Sequence, residues 1–258
     1  MSDALNQLPP DPHGARNQPP ERKGNVMNRV VNIDDLRKLA KKRLPRMIYD
    51  FIEGGTDDEL GLVTNEQAFR QARIVPRYLV DVAARDQSTT LFGRTYSSPI
   101  GIAPTGLAGL FRFGADLMLA EAARSANVPF IMSGVSTGSI EDLGKLAPDH
   151  GWYQIYSARD QSISENLVKR VSDAGLKTLV FTVDVPEGSN QERNIRNGWG
   201  RPLKLFWMTR FEALRHPAWM MQWLQHGRPY FDNWTRYASP NATADEVAEF
   251  VSRSAAHR

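Results

Sequence analysis

Short apolar runs alternate with amphipathic stretches through the middle of the chain. The apolar runs cover residues 99–104, 128–133, 152–156 and 178–184, and the stretches between them, over residues 114–126, 139–146 and 162–174, have helical spacing. Runs of this length, bounded by small and polar residues, are typical of buried strands. Strands that alternate with helices predict an α/β fold with a parallel sheet.

Every predicted strand ends in small or polar residues. These are Pro104 and Thr105 after the first run, Ser133 after the second, Gln154 and Tyr156 in the third, and Thr182 and Asp184 in the fourth. In a (β/α)₈ barrel the carboxyl ends of the strands build the active site. A doubly wound sheet is the alternative architecture, but it favours a Gly-rich turn after its first strand, and no G-x-G-x-x-G occurs there. The pattern therefore favours a barrel.

The segment before these strands divides into two parts. Residues 1–26 are polar and rich in proline, and we expect a disordered tail because they cannot bury enough apolar surface. Residues 27–98 begin with helix signals: Asn32 is a candidate N-cap, Pro45 restarts a helix, and Gly54 ends it. We predict that these N-terminal helices cover one end of the barrel.

The segment after the fourth strand does not continue the alternation. Residues 99–198 account for four βα units, whereas a full barrel has eight. Residues 199–243 form a Trp-rich excursion, and residues 244–258 comprise a short helix and a divergent tail. The expectation is therefore a TIM-barrel family chain in which only the first four βα units are present.

Composition excludes several classes of function. The chain has 258 residues and a net charge of +3 without a dominant basic run, which argues against nucleic-acid binding. Cysteine is absent, so disulfides, thiolate metal sites and a Cys nucleophile are excluded, and we expect no metal site. No apolar run is long enough to span a bilayer. A cytoplasmic location is expected, with peripheral attachment to the inner face of a membrane as the alternative.

Four motifs, in order, resemble the FMN-dependent α-hydroxy-acid dehydrogenase and oxidase family. They are LPRMIYDFIEGG at residues 44–55, PIGIAPTG at 99–106, WYQIY at 152–156 and TVDVP at 182–186, within a match that extends from about Val31 to Val251. The resemblance implies a barrel that holds FMN at its mouth and oxidises an L-2-hydroxy acid to a 2-oxo acid. It also implies a quinone or oxygen as electron acceptor and a homo-oligomer.

The resemblance assigns roles to individual residues. Pro104, Thr105 and Gly106 match the backbone segment that lies against the flavin ring, and Ser133, Gln154 and Thr182 match side chains that hydrogen-bond the ring. Tyr156 matches a tyrosine near the substrate hydroxyl, and Asp184 matches the carboxylate that orients a catalytic histidine. Taken singly, Gln154 and Thr182 are also common at barrel ends for structural reasons, and Asp184 could cap the next segment.

The chain departs from the family pattern at three points. Phe51 stands where the family has a carboxylate-binding tyrosine, and Gln191 stands where it has an arginine, with Arg193 and Arg196 nearby. The family's catalytic histidine motif and its phosphate site are not found. An inactive barrel fragment is therefore an alternative to an active enzyme.

The excursion carries its own alternatives. Residues 203–224 interleave aromatic and aliphatic residues with basic ones. Such a stretch can lie at a membrane surface, pack over the barrel, or bind a neighbouring subunit. A membrane- or partner-binding module is the second alternative function.

Overall fold

The computed structural model describes residues 29–183, 189–199 and 211–254. Contacts divide the chain into two units, Met1–Lys42 and Arg43–Arg258. In the first unit the described part is chiefly helix α1, Ile33–Arg43. Asn32 caps this helix as expected, because its Oδ1 accepts a hydrogen bond from the Asp35 N–H at 2.9 Å. The predicted tail, residues 1–26, lies outside the described residues.

The second unit contains a parallel sheet of three strands. β3 (Phe130–Met132), β4 (Gly151–Ile155) and β5 (Leu179–Phe181) lie in that order, and a separate hairpin is formed by β1 (Thr89–Leu91) and β2 (Arg94–Tyr96). Phe130 is opposite Gly151, and Tyr153 is opposite Leu179. Consecutive strands are therefore neighbours, and all the carboxyl ends lie at one edge.

The first predicted strand, residues 99–104, is reduced to a single bridge. Ile102 pairs with Phe130 through hydrogen bonds to Pro129 O at 2.8 Å and from Ile131 N at 3.0 Å. Proline has no N–H to donate, and Pro99, Pro104 and Pro129 therefore limit the ladder. The predicted strand at 178–184 is likewise shorter, ending at Phe181.

Helices connect these strands at the expected places. They are α4 (Ala108–Phe111) and α5 (Ala115–Ala126) before β3, α6 (Ile140–Leu146) before β4 and α7 (Gln161–Asp173) before β5. Ser139 caps α6 by accepting from the Asp142 N–H at 3.0 Å, and Asp160 caps α7 by accepting from the Ser162 N–H at 3.0 Å. These caps fix where each chain segment leaves the carboxyl edge of the sheet.

The remaining elements precede and follow the sheet. Before it are α2 (Arg46–Glu53), α3 (Leu60–Gln71) and the hairpin of β1 (Thr89–Leu91) with β2 (Arg94–Tyr96). Phe92 and Gly93 form the hairpin turn, both with positive φ, as a two-residue type I′ turn requires. After the sheet are α8 (Glu192–Arg196), α9 (Pro217–His226), a 3₁₀ turn (Thr235–Tyr237) and α10 (Ala244–Ser254).

The core lies between the sheet and helices α5, α6 and α7. Fully buried Leu143, Tyr153 and Leu167 are at its centre. Trp234 of the excursion and Val247 of α10 belong to the same core. The part of the excursion around Trp234 therefore packs against the core. Residues 200–210, which include the first eight residues of the predicted amphipathic stretch, lie outside the described residues.

No helix among the described residues is long and apolar enough to cross a membrane. This finding agrees with the absence of a long apolar run in the sequence.

Candidate functional site

Gln154 is the centre of a polar cluster at the carboxyl edge of the sheet. Its Oε1 accepts hydrogen bonds from the Gly134 N–H at 2.9 Å and the Ser133 hydroxyl at 3.4 Å. Its Nε2 donates to Thr182 Oγ1 at 2.7 Å. Since the side chain is only 2% exposed, these bonds replace the water that the amide would otherwise bind. The structure therefore brings together the three predicted polar residues Ser133, Gln154 and Thr182.

The hydrogen bonds within this cluster determine which of its two hydroxyl groups can still donate a hydrogen bond to a ligand. Ser133 Oγ donates to Gln154 and accepts from the Val135 N–H at 3.2 Å, so its proton is in use. Thr182 Oγ1 accepts from Gln154, and among the described residues its own proton has no acceptor. Thr182 can consequently donate one hydrogen bond to a ligand at the edge.

The 104–106 segment comes close to the same edge. The Leu107 N–H donates to Val135 O at 3.1 Å. A Cβ on Gly106 would lie 2.8 Å from Val135 Cγ2, so only glycine leaves this approach unstrained. Gly106 thus lies beside the loop that follows Ser133. Exposed Pro104 and half-buried Thr105 directly precede it in the sequence.

Tyr156 follows β4 and lies against the same loop. A Cβ on Gly134 would lie 3.2 Å from Tyr156 Cδ2, which places the tyrosine ring beside Gly134. Tyr156 is half-buried, so its side chain is partly open to solvent. The other predicted catalytic residue, Asp184, lies outside the described residues, and its role stays a prediction.

Phe51 is part of an aromatic stack. Its ring lies 4.1 Å from the Trp199 ring and 6.2 Å from the Phe111 ring, with the planes nearly parallel in both pairs. A ring without a hydroxyl suits this apolar environment. The stack joins α2 to α4 and to the segment after α8.

The cations near Gln191 are held by carboxylates. Arg193 forms ion pairs with Asp50, at 3.7 Å, and with Glu59, and Arg196 pairs with Glu192. Gln191 Oε1 accepts from Asn194 Nδ2 at 2.6 Å. Arg193 or Arg196 could replace the arginine that the resemblance places at position 191 only if these ion pairs were broken.

Two residues that the sequence analysis did not single out support the site. The indole Nε1 of Trp234 donates to Gly134 O at 2.7 Å, so both the N–H and the C=O of Gly134 are hydrogen-bonded to side chains. Asn233 is fully buried and donates to Ser136 Oγ and Gly138 O, each at 3.1 Å. Both residues are within the excursion, where no periodic pattern signals a contact almost 100 residues away.

The site presents neutral hydrogen-bonding groups on rigid strand ends. Among the described residues no group of three or more His, Cys, Asp or Glu side chains could hold a metal ion. The arrangement suits a flat, polar-edged organic ring better than an ion, because amides and hydroxyls can match its donors and acceptors.

Comparison with known proteins agrees with this geometry. The family model described as FMN-dependent dehydrogenase matches residues 40–257. The chain is 36% identical over 224 residues to (S)-mandelate dehydrogenase of Pseudomonas putida, covering 87% of this chain and 56% of that protein. It is also 36% identical over 195 residues to 2-hydroxyacid oxidase of Dictyostelium discoideum, covering 74% and 50%.

A solved structure described as monotopic membrane protein (S)-mandelate dehydrogenase superposes with a TM-score of 0.83 at 35% identity. The alignment covers 89% of this chain and 61% of that one. The chain thus spans about half the length of the relatives it matches.

These matches confirm the predicted barrel family and its cofactor, because the fold is that of the structural relative and the matching family model is FMN-dependent. The order of strands, the polar carboxyl edge and the extent of the match lead to one conclusion: the chain belongs to the family of FMN-dependent dehydrogenases.

Proposed function

We propose that this chain provides the flavin-ring part of an FMN site at which an L-2-hydroxy acid is oxidised to a 2-oxo acid. The observation that carries the proposal is the hydrogen-bonded chain of Ser133, Gln154 and Thr182 at the carboxyl edge of three adjacent strands. Relatives whose names state dehydrogenase or oxidase activity on mandelate or 2-hydroxy acids support it.

The residues present fit the ring of FMN. Gly106 lets the backbone approach the edge, and Thr182 has a proton to donate. Pro104 and Thr105 would complete the backbone segment against the ring. Oxidation of a 2-hydroxy acid releases two electrons and two protons, and FMN, when bound, supplies the acceptor for the electrons.

Two protein groups would act on the substrate. Tyr156, partly open at the edge, would donate a hydrogen bond to the substrate oxygen. By resemblance, Asp184, two residues after Thr182 in the sequence, would stabilise the protonated form of the family's catalytic histidine, which would accept a proton from the substrate and for which no counterpart is found in this chain. The aromatic stack of Phe51, Phe111 and Trp199 provides an apolar wall close to α2 and α4.

We infer that the electron acceptor of the reduced flavin is a quinone or oxygen.

Titration of the purified protein with FMN tests the ring site directly. Flavin fluorescence should be quenched on binding, and Thr182→Val should weaken binding about fivefold, since one neutral hydrogen bond is lost. Thr178→Val makes the same change before the other end of β5 and should leave the affinity unchanged. Equal affinity of wild type and T182V, or no binding by a folded wild type, would contradict the ring site.

Activity is a separate measurement. Addition of (S)-mandelate or L-lactate to the FMN-loaded protein should bleach the flavin absorption under anaerobic conditions, because the bound flavin takes up the electrons. A loaded protein whose spectrum is unchanged by both acids would favour the inactive-fragment alternative instead.

Peripheral membrane association is a second candidate function. On α9, Met221 and Leu224 are 54% and 70% exposed, and one structural relative is described as a monotopic membrane protein. Exposed apolar side chains on one helix can insert into the interface between water and lipid. Homo-oligomer formation would cover the same side chains, and it is the competing explanation.

Flotation with liposomes of mixed anionic and zwitterionic lipid separates these explanations. Leu224→Glu should abolish co-flotation without changing the oligomeric state, whereas Val168→Glu on α7 is a control at another exposed position. Dissociation of an oligomer by L224E, with no flotation of the wild type, would refute the membrane role.

A further inference from the structure

A cavity of about 300 Å³ opens between the start of α5, the loop at Thr137–Gly138, helix α9 and residues 227–232. None of the three side chains of the proposed ring site lines it. The cavity is large enough for a small organic molecule or for the end group of a larger one. The residues that line this cavity can therefore indicate a ligand other than the flavin and the hydroxy acid of the proposed oxidation.

The lining of the cavity includes several aromatic rings. Trp219 is buried and fixed by a hydrogen bond from its Nε1 to Leu110 O at 2.8 Å, and the Trp223 ring lies 5.1 Å from it. The Phe113 and His226 rings, which also line the cavity, stack at 3.7 Å with an angle of 8° between planes. The half-buried Trp223 ring can present a π face to a ligand in the cavity, and such faces attract cations.

The lining also includes three carboxylates. Asp116 is 2% exposed, and its Oδ2 accepts from the Thr137 N–H at 3.1 Å and hydroxyl at 2.6 Å. Asp142 accepts from Ser139 and pairs with Lys145 at 3.3 Å. The Asp232 carboxylate has no hydrogen bond or ion pair among the described residues.

The negative charge of this lining is only partly compensated. Burial raises the pKa of Asp116. Desolvation together with the charges of Asp142 and Asp116 raises the pKa of Asp232, whose side chain is still partly open to solvent, and the charge of Arg170 opposes this shift. Arg228, the one Arg or Lys among the described lining residues, already pairs with Asp245 of α10. A bound cation would relieve the repulsion among the three carboxylates.

An organic cation suits this lining better than a metal ion. No three acidic or histidine side chains of the described part converge closely enough to ligate a metal. Carboxylates together with aromatic faces are instead the combination that recognises ammonium groups. We propose that this cavity binds an organic ammonium group through its lining residues Asp232, Asp116, Trp219 and Trp223.

Two sources could supply such a group. One is a free small molecule of the choline or ethanolamine type, and the other is the head group of a zwitterionic phospholipid. The second source would place the cavity next to the exposed face of α9 that carries Met221 and Leu224. Both sources share the ammonium chemistry, so one probe tests them together.

Calorimetric titration of the purified protein with choline chloride is the first experiment. Choline should bind, and its neutral isostere 3,3-dimethylbutan-1-ol should bind at least about tenfold more weakly, because it lacks the charge. Asp232→Asn should weaken choline binding about tenfold, and Trp223→Leu about threefold. Asp173→Asn, at an exposed position of α7, is the matched control and should bind like the wild type.

Liposomes of phosphatidylcholine and of phosphatidylglycerol distinguish the sources. If the wild type floats with phosphatidylcholine liposomes, if free choline inhibits this flotation, and if D232N does not float, the ligand of the cavity is a lipid head group. Choline binding with the same variant effects but no such flotation assigns it to a free ammonium ligand. Absence of choline binding, equal binding of the neutral isostere, or unchanged affinity in D232N would overturn the proposal.

Discussion

Gly134 has no room for a side chain. A Cβ there would lie 2.8 Å from Gln154 O and 3.2 Å from the Tyr156 ring. Its N–H and C=O are bonded to the side chains of Gln154 and Trp234 respectively. The residue therefore joins β4, the site and the excursion through one peptide segment.

Substitution of this glycine gives the first prediction. Gly134→Ala should lower the free energy of unfolding by about 1–3 kcal/mol, because the added methyl group meets backbone of the adjacent strand. Gly61→Ala is the control, since a Cβ at Gly61 has no neighbour within 4 Å and α3 favours alanine. Urea denaturation of the two variants should show opposite signs, and a neutral G134A would contradict the close approach.

Gln154 gives a second prediction at this scale. Gln154→Leu removes the acceptor for Gly134 and the donor to Thr182, leaving a buried N–H without a partner. We expect a loss of about 2–3 kcal/mol in unfolding free energy. Gln161→Leu, at an exposed position of α7, should change it by less than about 0.5 kcal/mol. Similar losses in both variants would argue against the hydrogen-bonded cluster.

At the scale of elements, one ion pair joins α6, α7 and the excursion. Arg170 donates from Nε and Nη2 to both oxygens of Glu141, at 2.8 and 2.9 Å, and from Nη1 to Asn233 O at 2.9 Å. Arg236 adds a contact to Glu141 at 3.2 Å. The Arg170 hydrogen bonds lower the pKa of Glu141 from 4.5 to about 2.

This lowered pKa predicts a pH dependence of stability. Since the folded state favours the charged carboxylate, Glu141 stabilises the fold fully above pH 4.5, and this contribution is lost as the pH falls towards 2. Because Glu141 is partly exposed, the contribution at neutral pH should be about 1–2 kcal/mol.

Denaturation of the wild type and Glu141→Gln over this pH range measures the effect. The difference between the two proteins should be largest near neutral pH and should shrink on acidification. A difference that is constant with pH would show that the carboxylate charge contributes nothing.

Sequence pattern predicted the elements whose signals are local. The cap at Asn32, and the order of helices and strands, follow from residues within a few positions of each other. The pattern overestimated the first strand, because apolar character does not reveal which N–H groups proline removes. It also missed Trp234, whose indole meets Gly134 across 100 positions, since tertiary contacts of this length leave no periodic signal.

At the scale of the whole molecule, β5 is the outer strand of the sheet, and no other strand of the described residues pairs with its far edge. Leu179 and Phe181 are 41% and 57% exposed, and Val183 beyond the strand is 78% exposed. On the other side, Ile100 next to the bridged residue Ile102 is also exposed. Apolar strand edges of this kind pair with other strands, whether these come from the same protein or from another copy.

The 258-residue chain expressed by itself should therefore self-associate with increasing concentration. Phe181→Lys should shift sedimentation towards the monomer, because a charge on an edge strand opposes pairing. Val63→Lys makes a similar change on exposed α3 and should have little effect. A monomeric wild type at all concentrations would indicate that the edge is already covered.

The Gly134 amide proton is bonded to a side chain rather than to a backbone carbonyl. In hydrogen–deuterium exchange its protection therefore depends on the order of the Gln154 amide, not on the sheet ladder. Slow exchange at this one position, and fast exchange in Q154L, would make a single proton a measure of how rigid the ring-binding edge is before any ligand arrives.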